Sequence, residues 1–167
     1  MAQTVVPAQK IKTLAELART LAGARQRGST VVFANGCFDL VHVGHVRYLE
    51  GAKALGDLLV VAVNSDLSVR ALKGEGRPLQ PEQDRALMVA SFACVDFVVV
   101  FDDPTVDNLL LTFRPDVHAK GTDYVEEMVP EHRTVLAYGG RTAIVGDPKS
   151  HATRDLIRRI LEKQRRS

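Results

Sequence analysis

At 167 residues, with 46% hydrophobic and 25% charged residues, the chain has the proportions of one ordinary globular domain. A net formal charge of +2 excludes a nucleic-acid binder that works through its field alone, and no apolar run is long enough to span a bilayer. Two cysteines and no charged, apolar leader at the N-terminus predict reduced thiols in the cytoplasm.

Helical and strand signals alternate from the start. Thr13-Leu14-Ala15-Glu16 reads as a capping box, and Leu14, Leu17 and Leu21 give that helix its apolar stripe, with Gly28 near its end. Thr30 to Ala34 is a β-branched, apolar strand of the kind buried on both faces. A helix from Val46 closes on Gly56, and Leu58 to Val63 is the next strand. Asp66 is expected to cap a short helix, and Leu72 to Gln80, rich in glycine, proline and charge, reads as a loop. Pro81 opens a helix to Ala93, Phe97 to Phe101 is a strand, and Pro104 starts a helix to Phe113. Val117 to Lys120 and Thr142 to Val145 complete the strands, and Thr153 to Lys163 is a terminal helix with a basic face. Strands separated by helices predict parallel pairing through right-handed crossovers. The expected fold is therefore α/β, a single doubly wound, Rossmann-like parallel sheet. It forms one domain over residues 1–167, with 1–29 as an N-terminal helical extension and 30–163 as the core.

The densest chemistry lies in Asn35-Gly36-Cys37-Phe38-Asp39-Leu40-Val41-His42-Val43-Gly44-His45, where a strand gives way to a helix. His42 and His45 fall at a strand's carboxyl end and a helix's amino end, the place where open α/β sheets bind ligands and helix dipoles favour anions. Two imidazoles three residues apart can bind a metal, act as acid and base, or donate to phosphate oxygens. Neither Cys37 nor Cys94 has the paired spacing of a zinc site, whereas Gly36 and Gly44 let backbone approach a bulky anion. The pattern therefore reads as a phosphate-handling loop. The glycine-rich dinucleotide fingerprint is missing after the first strand, which argues against redox chemistry.

Gly36-Cys37-Phe38-Asp39 followed by His42-Val43-Gly44-His45 resembles the signature of the cytidylyltransferase-like nucleotidyltransferases, the HxGH type. Over about residues 30 to 160 the likeness extends to the family's ADP-heptose-forming adenylyltransferases. It is carried by Val61 to Arg70, Leu72-Lys73-Gly74, Arg77-Pro78, Asp84-Arg85, Val95 to Val99 and Lys120-Gly121-Thr122-Asp123-Tyr124. The resemblance implies an enzyme that moves AMP from ATP, with Mg²⁺, to a sugar phosphate, most simply D-glycero-D-manno-heptose 1-phosphate. It also implies a homodimer and, here, a sugar kinase on a separate chain.

Two polyanions meeting with pyrophosphate as leaving group call for cations as well as donors. By resemblance the catalytic set is His42, His45, Lys73 and Arg77, with the two histidines on the α-phosphate. Gly36, Cys37, Phe38, Asp39, Gly44, Lys120, Gly121, Asp123, Thr153 and Arg154 are expected to bind nucleotide, and Arg85, Asn64 and Asp66 the acceptor. No metal ligand is assigned. His118 reads as a packed histidine. Where relatives carry a run of hydroxyl residues at the start of the last helix, this chain has Ala152-Thr153-Arg154, and Asp103-Pro104-Thr105 also departs from the family order. Two other readings stand beside this one: a cytidylyltransferase acting on glycerol 3-phosphate or a similar alcohol phosphate, and a nucleotide-binding protein without turnover.

Overall fold

Period-two alternation along the strands decides the architecture. In a computed structural model that describes residues 6–148 and 153–165, β1 (Val31–Gly36), β2 (Leu58–Asn64), β3 (Phe97–Phe101), β4 (Val117–Gly121) and β5 (Arg141–Val145) form one sheet. The strand order is β3-β2-β1-β4-β5 and every pairing is parallel. Val32 and Ala34 point into a core layer with Leu49, Ala52, Ala86 and Val89. Val31 and Phe33 point the other way, onto Leu17, Leu21, Leu110 and Phe113. The first layer is roofed by α3 (Val43–Lys53) and α5 (Glu82–Ala90), the second by α2 (Leu14–Gln26), α6 (Asp107–Phe113) and α7 (His132–Ala137). The doubly wound sheet is as expected. Leu17 and Leu21 make α2 part of the core.

Several boundaries differ for identifiable reasons. The capping box forms, with Glu16 N–H donating to Thr13 Oγ1 at 3.2 Å and Thr13 N–H to Glu16 Oε2 at 2.9 Å, but Leu14 is 47% exposed and the stripe runs Leu17, Leu21, Ala24. α3 begins three residues earlier than its apolar spacing suggests, because His42 serves as its N-cap. The helix after β2, α4 (Asp66–Lys73), is capped by Ser65, whose Oγ accepts from Ser68 N–H at 3.1 Å, and not by Asp66. Lys73 is consequently the last helical residue and not a loop residue. Pro81 caps α5 from outside, α5 stops at Ala90, and α6 starts at Asp107 and not at Pro104. Three short elements carried too little periodicity to be read: α1 (Pro7–Lys10), a 3₁₀ turn (Glu126–Met128) and α7. The last helix, α8, spans Thr153–Gln164.

Gly56 is no helix cap. A β-carbon there would lie 2.8 Å from Val32 Cγ2 and 2.9 Å from Thr30 O, so the turn into β2 presses backbone on backbone. Gly56→Ala should therefore cost about 1–3 kcal/mol through overpacking. Urea unfolding is the measurement, and a cost near zero would show that the turn yields.

Candidate active site

The chain reverses its winding between β1 and β4, and in open α/β sheets that switch point leaves a crevice beyond the strands' carboxyl ends. A cavity of about 1020 Å³ opens there, with Asn35 and Gly36 from β1, Asn64 from β2 and Lys120 and Gly121 from β4 on its floor. β1, β2 and β4 each run a residue or two beyond their apolar stretch. Those extra residues are the polar ones that reach the cavity.

His42 and His45 come together at its wall. Their rings stack at 3.9 Å with 26° between planes, and the Phe38 ring lies 5.1 Å from that of His45. Phe38 is buried with φ +49°, a conformation few non-glycine residues adopt. Its ring also explains Gly36, where a β-carbon would sit 3.0 Å from Phe38 Cε2; room for a ring, not for an anion, is what that glycine provides. The backbone N–H of His42 donates to His45 Nδ1 at 3.3 Å. An accepting Nδ1 carries no proton, so the neutral ring keeps its proton on Nε2. Burial, and then the neighbouring His42, push the His45 pKa down to about 4. His45 is therefore a neutral donor at physiological pH.

The Asp39 carboxylate is taken up by partners within the chain. It is 2% exposed, and its Oδ1 accepts from Leu79 N–H at 2.8 Å and Gln80 N–H at 3.1 Å, while Arg77 Nε donates to Oδ2 at 2.6 Å. It lines the cavity but acts as the anchor of the segment after α4, holding Arg77 and the end of that loop against the histidine turn. Lys73 and Arg77 both line the cavity.

Arg85 departs furthest from expectation. It is 1% exposed, outside the cavity lining, and its guanidinium donates to Gln80 O at 2.9 Å, Cys37 O at 2.6 Å, Asn64 O at 2.7 Å and Asp66 Oδ1 at 2.8 Å. This cation is taken up by the chain itself, with Asp66 as its counter-ion, and neither residue lines the cavity, in contrast to their expected place at the acceptor. Asn64 remains on the cavity floor, donating to Ser68 Oγ at 2.9 Å, with the Cys37 thiol 3.9 Å from its Oδ1. Burial raises the Cys37 pKa, so the thiol stays protonated.

On the far wall stand Lys120, Gly121 and Asp123, with Gly44 in the first turn of α3. His118 is wholly buried, its Nε2 3.1 Å from Asn35 Oδ1, and burial pushes its pKa down to about 3, in keeping with a packed role. The amino end of α8 closes the rim with Thr153 and Arg154; Thr153 Oγ1 donates to Leu40 O at 3.2 Å. Ala152 lies outside the described residues. Neither Asp103, Pro104 nor Thr105 lines the cavity. Arg47, paired with Asp147 at 2.7 Å, and Tyr48, whose hydroxyl donates to Ala119 O at 2.8 Å, are site residues that the sequence reading missed. Both sit within one turn of His45 on α3, which was the available signal. Among the described residues there is no cluster of three or more His, Cys, Asp or Glu that could hold a metal ion.

The family model for cytidylyltransferase-like proteins matches residues 33–164. The bifunctional protein HldE of Syntrophotalea carbinolica is 49% identical over 154 residues, covering 92% of this chain and 31% of that protein. HldE of Geobacter sulfurreducens is 48% identical over 92% of this chain and 31% of its own length. The chain thus spans about a third of the length of the curated relatives it matches. The crystal structure of a lipopolysaccharide core biosynthesis protein from Thermoplasma volcanium superposes with a TM-score of 0.64 at 25% identity, over 73% of this chain and all of that one.

Two outcomes follow from these geometries. Arg85→Ala should lower stability by about 3–5 kcal/mol, since it strands Asp66 and three carbonyls; a urea-unfolding change below about 1 kcal/mol would contradict the clamp. His45 and His118 both titrate lower folded than unfolded, so the unfolded chain takes up protons first as pH falls below 6.5. Stability is accordingly full above 6.5 and is lost as pH drops toward 4. His118→Gln should make the slope of unfolding free energy against pH shallower in that window, and an unchanged slope would remove His118 from the account.

Proposed function

This chain belongs to the cytidylyltransferase-like family, and from that membership we propose that it transfers AMP from ATP to a sugar phosphate, most simply D-glycero-D-manno-heptose 1-phosphate, releasing pyrophosphate and ADP-heptose. The stacked pair of His42 and His45 at the amino end of α3, facing a cavity also lined by Lys73, Arg77 and Lys120, is the observation that carries the reading.

An oxygen of the acceptor's phosphate attacks the α-phosphorus of ATP; that P–O bond forms as the bond from the α-phosphorus to the bridging oxygen breaks, and pyrophosphate leaves in line. Negative charge grows on the α-phosphate oxygens and on the leaving group. His45, neutral with its proton on Nε2, donates to the α-phosphate without needing to titrate, and His42 stands beside it. Preorganised donors of this kind are worth most where the charge develops. Lys73, Arg77 and Lys120 offset the charge on the two polyphosphates. Mg²⁺ arriving with ATP supplies further neutralisation of the β- and γ-phosphates. No covalent enzyme intermediate is required. The same reading carries a homodimer, and a sugar kinase that acts upstream to make the acceptor.

Pyrophosphate release across a matrix of ATP and CTP with heptose 1-phosphate and glycerol 3-phosphate tests the reading. ATP with the heptose should turn over fastest; preference for CTP with glycerol 3-phosphate would move the substrates, and nucleotide binding with no release anywhere would leave a binding protein. His42→Ala and His45→Ala should each lower turnover on the order of a hundredfold, the range for a lost oxyanion-type donor. Near wild-type turnover in either variant would overturn the role given to the pair.

A further inference from the structure

Lys120 is 7% exposed at the carboxyl end of β4, deeper than an ordinary lysine lies without a partner. Its Nζ is 3.4 Å from Asn35 Oδ1, 3.6 Å from Glu131 Oε2 and 5.0 Å from the centre of the Tyr124 ring. Each polar contact is longer than the roughly 2.7–2.9 Å of a charge-assisted hydrogen bond. The ammonium is surrounded but not gripped, and it lines the cavity.

Glu131 is 5% exposed, caps the amino end of α7 and does not line the cavity. Its Oε2 is buried with no partner at hydrogen-bond length. Around Lys120 stand the Asn35 amide from β1, His118 two residues back on β4, the Tyr124 ring from the loop after β4, and Glu131, with Tyr48 from α3 in electrostatic reach of Glu131 and Tyr124. His118 is held neutral, and Tyr48 is pushed well above the usual tyrosine range by burial, so it too is uncharged. Glu131 brings a carboxylate oxygen to 3.6 Å from the ammonium.

We infer that Glu131 is a positioning residue of this site: from behind β4 its carboxylate keeps the Lys120 ammonium charged and placed at the cavity wall, where the ammonium meets a phosphate of the bound nucleotide or acceptor. The inference rests on the nucleotidyl-transfer reading for what Lys120 meets, but not for the coupling between the two residues. Burial pulls the Lys120 pKa below its ordinary value, and the charge of Glu131, 3.6 Å away, acts against that pull. Losing Glu131 therefore lets Lys120 shed its proton at lower pH.

The test has a kinetic arm and an arm independent of turnover. In the first, the pH profile of pyrophosphate release is compared for wild type and Glu131→Gln. The alkaline limb should move down by about one pH unit or more, the shift that one opposite charge within 4–6 Å sustains, with kcat falling several-fold more at pH 9 than at pH 7. Glu131→Asp should keep most of the wild-type profile. In a Lys120→Arg background Glu131→Gln should no longer move the limb, because a guanidinium stays charged. In the second arm, the lysines are dimethylated with ¹³C, the Lys120 resonance is identified by its loss in Lys120→Arg, and its titration midpoint is read by NMR in both proteins. A midpoint lowered in Glu131→Gln supports the coupling even if no substrate pair turns over, which separates failure of this inference from failure of the function. A folded Glu131→Gln protein with an unmoved midpoint, or a limb shift that persists with Lys120→Arg, overturns it. Should Glu131→Gln not fold, Lys120→Met with Glu131→Gln should fold, since neither charge is then stranded; failure of that pair while Lys120→Met alone folds would also overturn it.

Discussion

A guanidinium with almost no exposed surface holds the site in one piece. Arg85, from α5, reaches the carbonyls of Cys37 after β1, Asn64 at the end of β2 and Gln80 before its own helix, and it pairs with Asp66 at the start of α4. The β1 turn, the β2–α4 junction and the residue that leads into α5 meet on one planar group with five N–H donors, a geometry that no lysine reproduces. Strand ends and loops are the parts of an α/β sheet freest to shift. Tying them to a helix inside the core lends the histidine turn and the basic segment the rigidity of the sheet. Asp39 extends the same logic by one step, since it holds Arg77 and the backbone of Leu79 and Gln80 to the turn that carries His42.

Polar work is divided by depth. His45 and the Cys37 thiol on the lining, and His118 packed outside it, are kept neutral by burial, while Lys120 is the cation set deepest among the lining residues. Charges stand on the rim and walls, on Lys73 and Arg77 at one side and Arg154 at the other. A neutral imidazole donates to a developing anion at no cost in desolvated charge, whereas a buried imidazolium would first need its own counter-ion. The rim cations act through longer-range attraction, which tolerates mobility in the partner. Precision and charge are therefore supplied by different residues.

The fold was legible because the continuous apolar, β-branched runs of β1 and β2 and the helical spacing in α2 and α3 are strong enough to outweigh local noise. The histidine pair was legible because its chemistry is confined to four adjacent positions. Less legible was whatever depends on partners distant in sequence. Arg85 and Asp39 look like ligand-binding charges when read alone, and only the carbonyls and amides gathered around them reveal structural anchors. Tyr48 and Arg47 lie on α3 beside the histidines, but nothing in a tyrosine or arginine on a helix marks it as facing a cavity. Glu131 is hidden further, since its partner Lys120 lies eleven positions back across a turn and a 3₁₀ segment. Helical spacing misplaced Leu14 and the terminal-glycine signal misread Gly56, where a capping box and a backbone contact set the local geometry.

Five cations and three carboxylates line the cavity among the described residues, an imbalance that would repel itself if left unscreened. Two of those cations are paired within the lining, Arg77 with Asp39 and Arg47 with Asp147, and the remaining excess is reduced from outside it by Glu131 beside Lys120. The closest of these pairs sit at 2.6 and 2.7 Å, lengths that belong to structural anchors, while the Lys120 pair is open at 3.6 Å. A polyphosphate entering the cavity competes poorly for a cation already gripped and well for one that is only surrounded. On that argument Arg77 and Arg47 shape the walls first and attract second, and the loosely held lysine at the end of β4 is the charge that an incoming anion can recruit most cheaply.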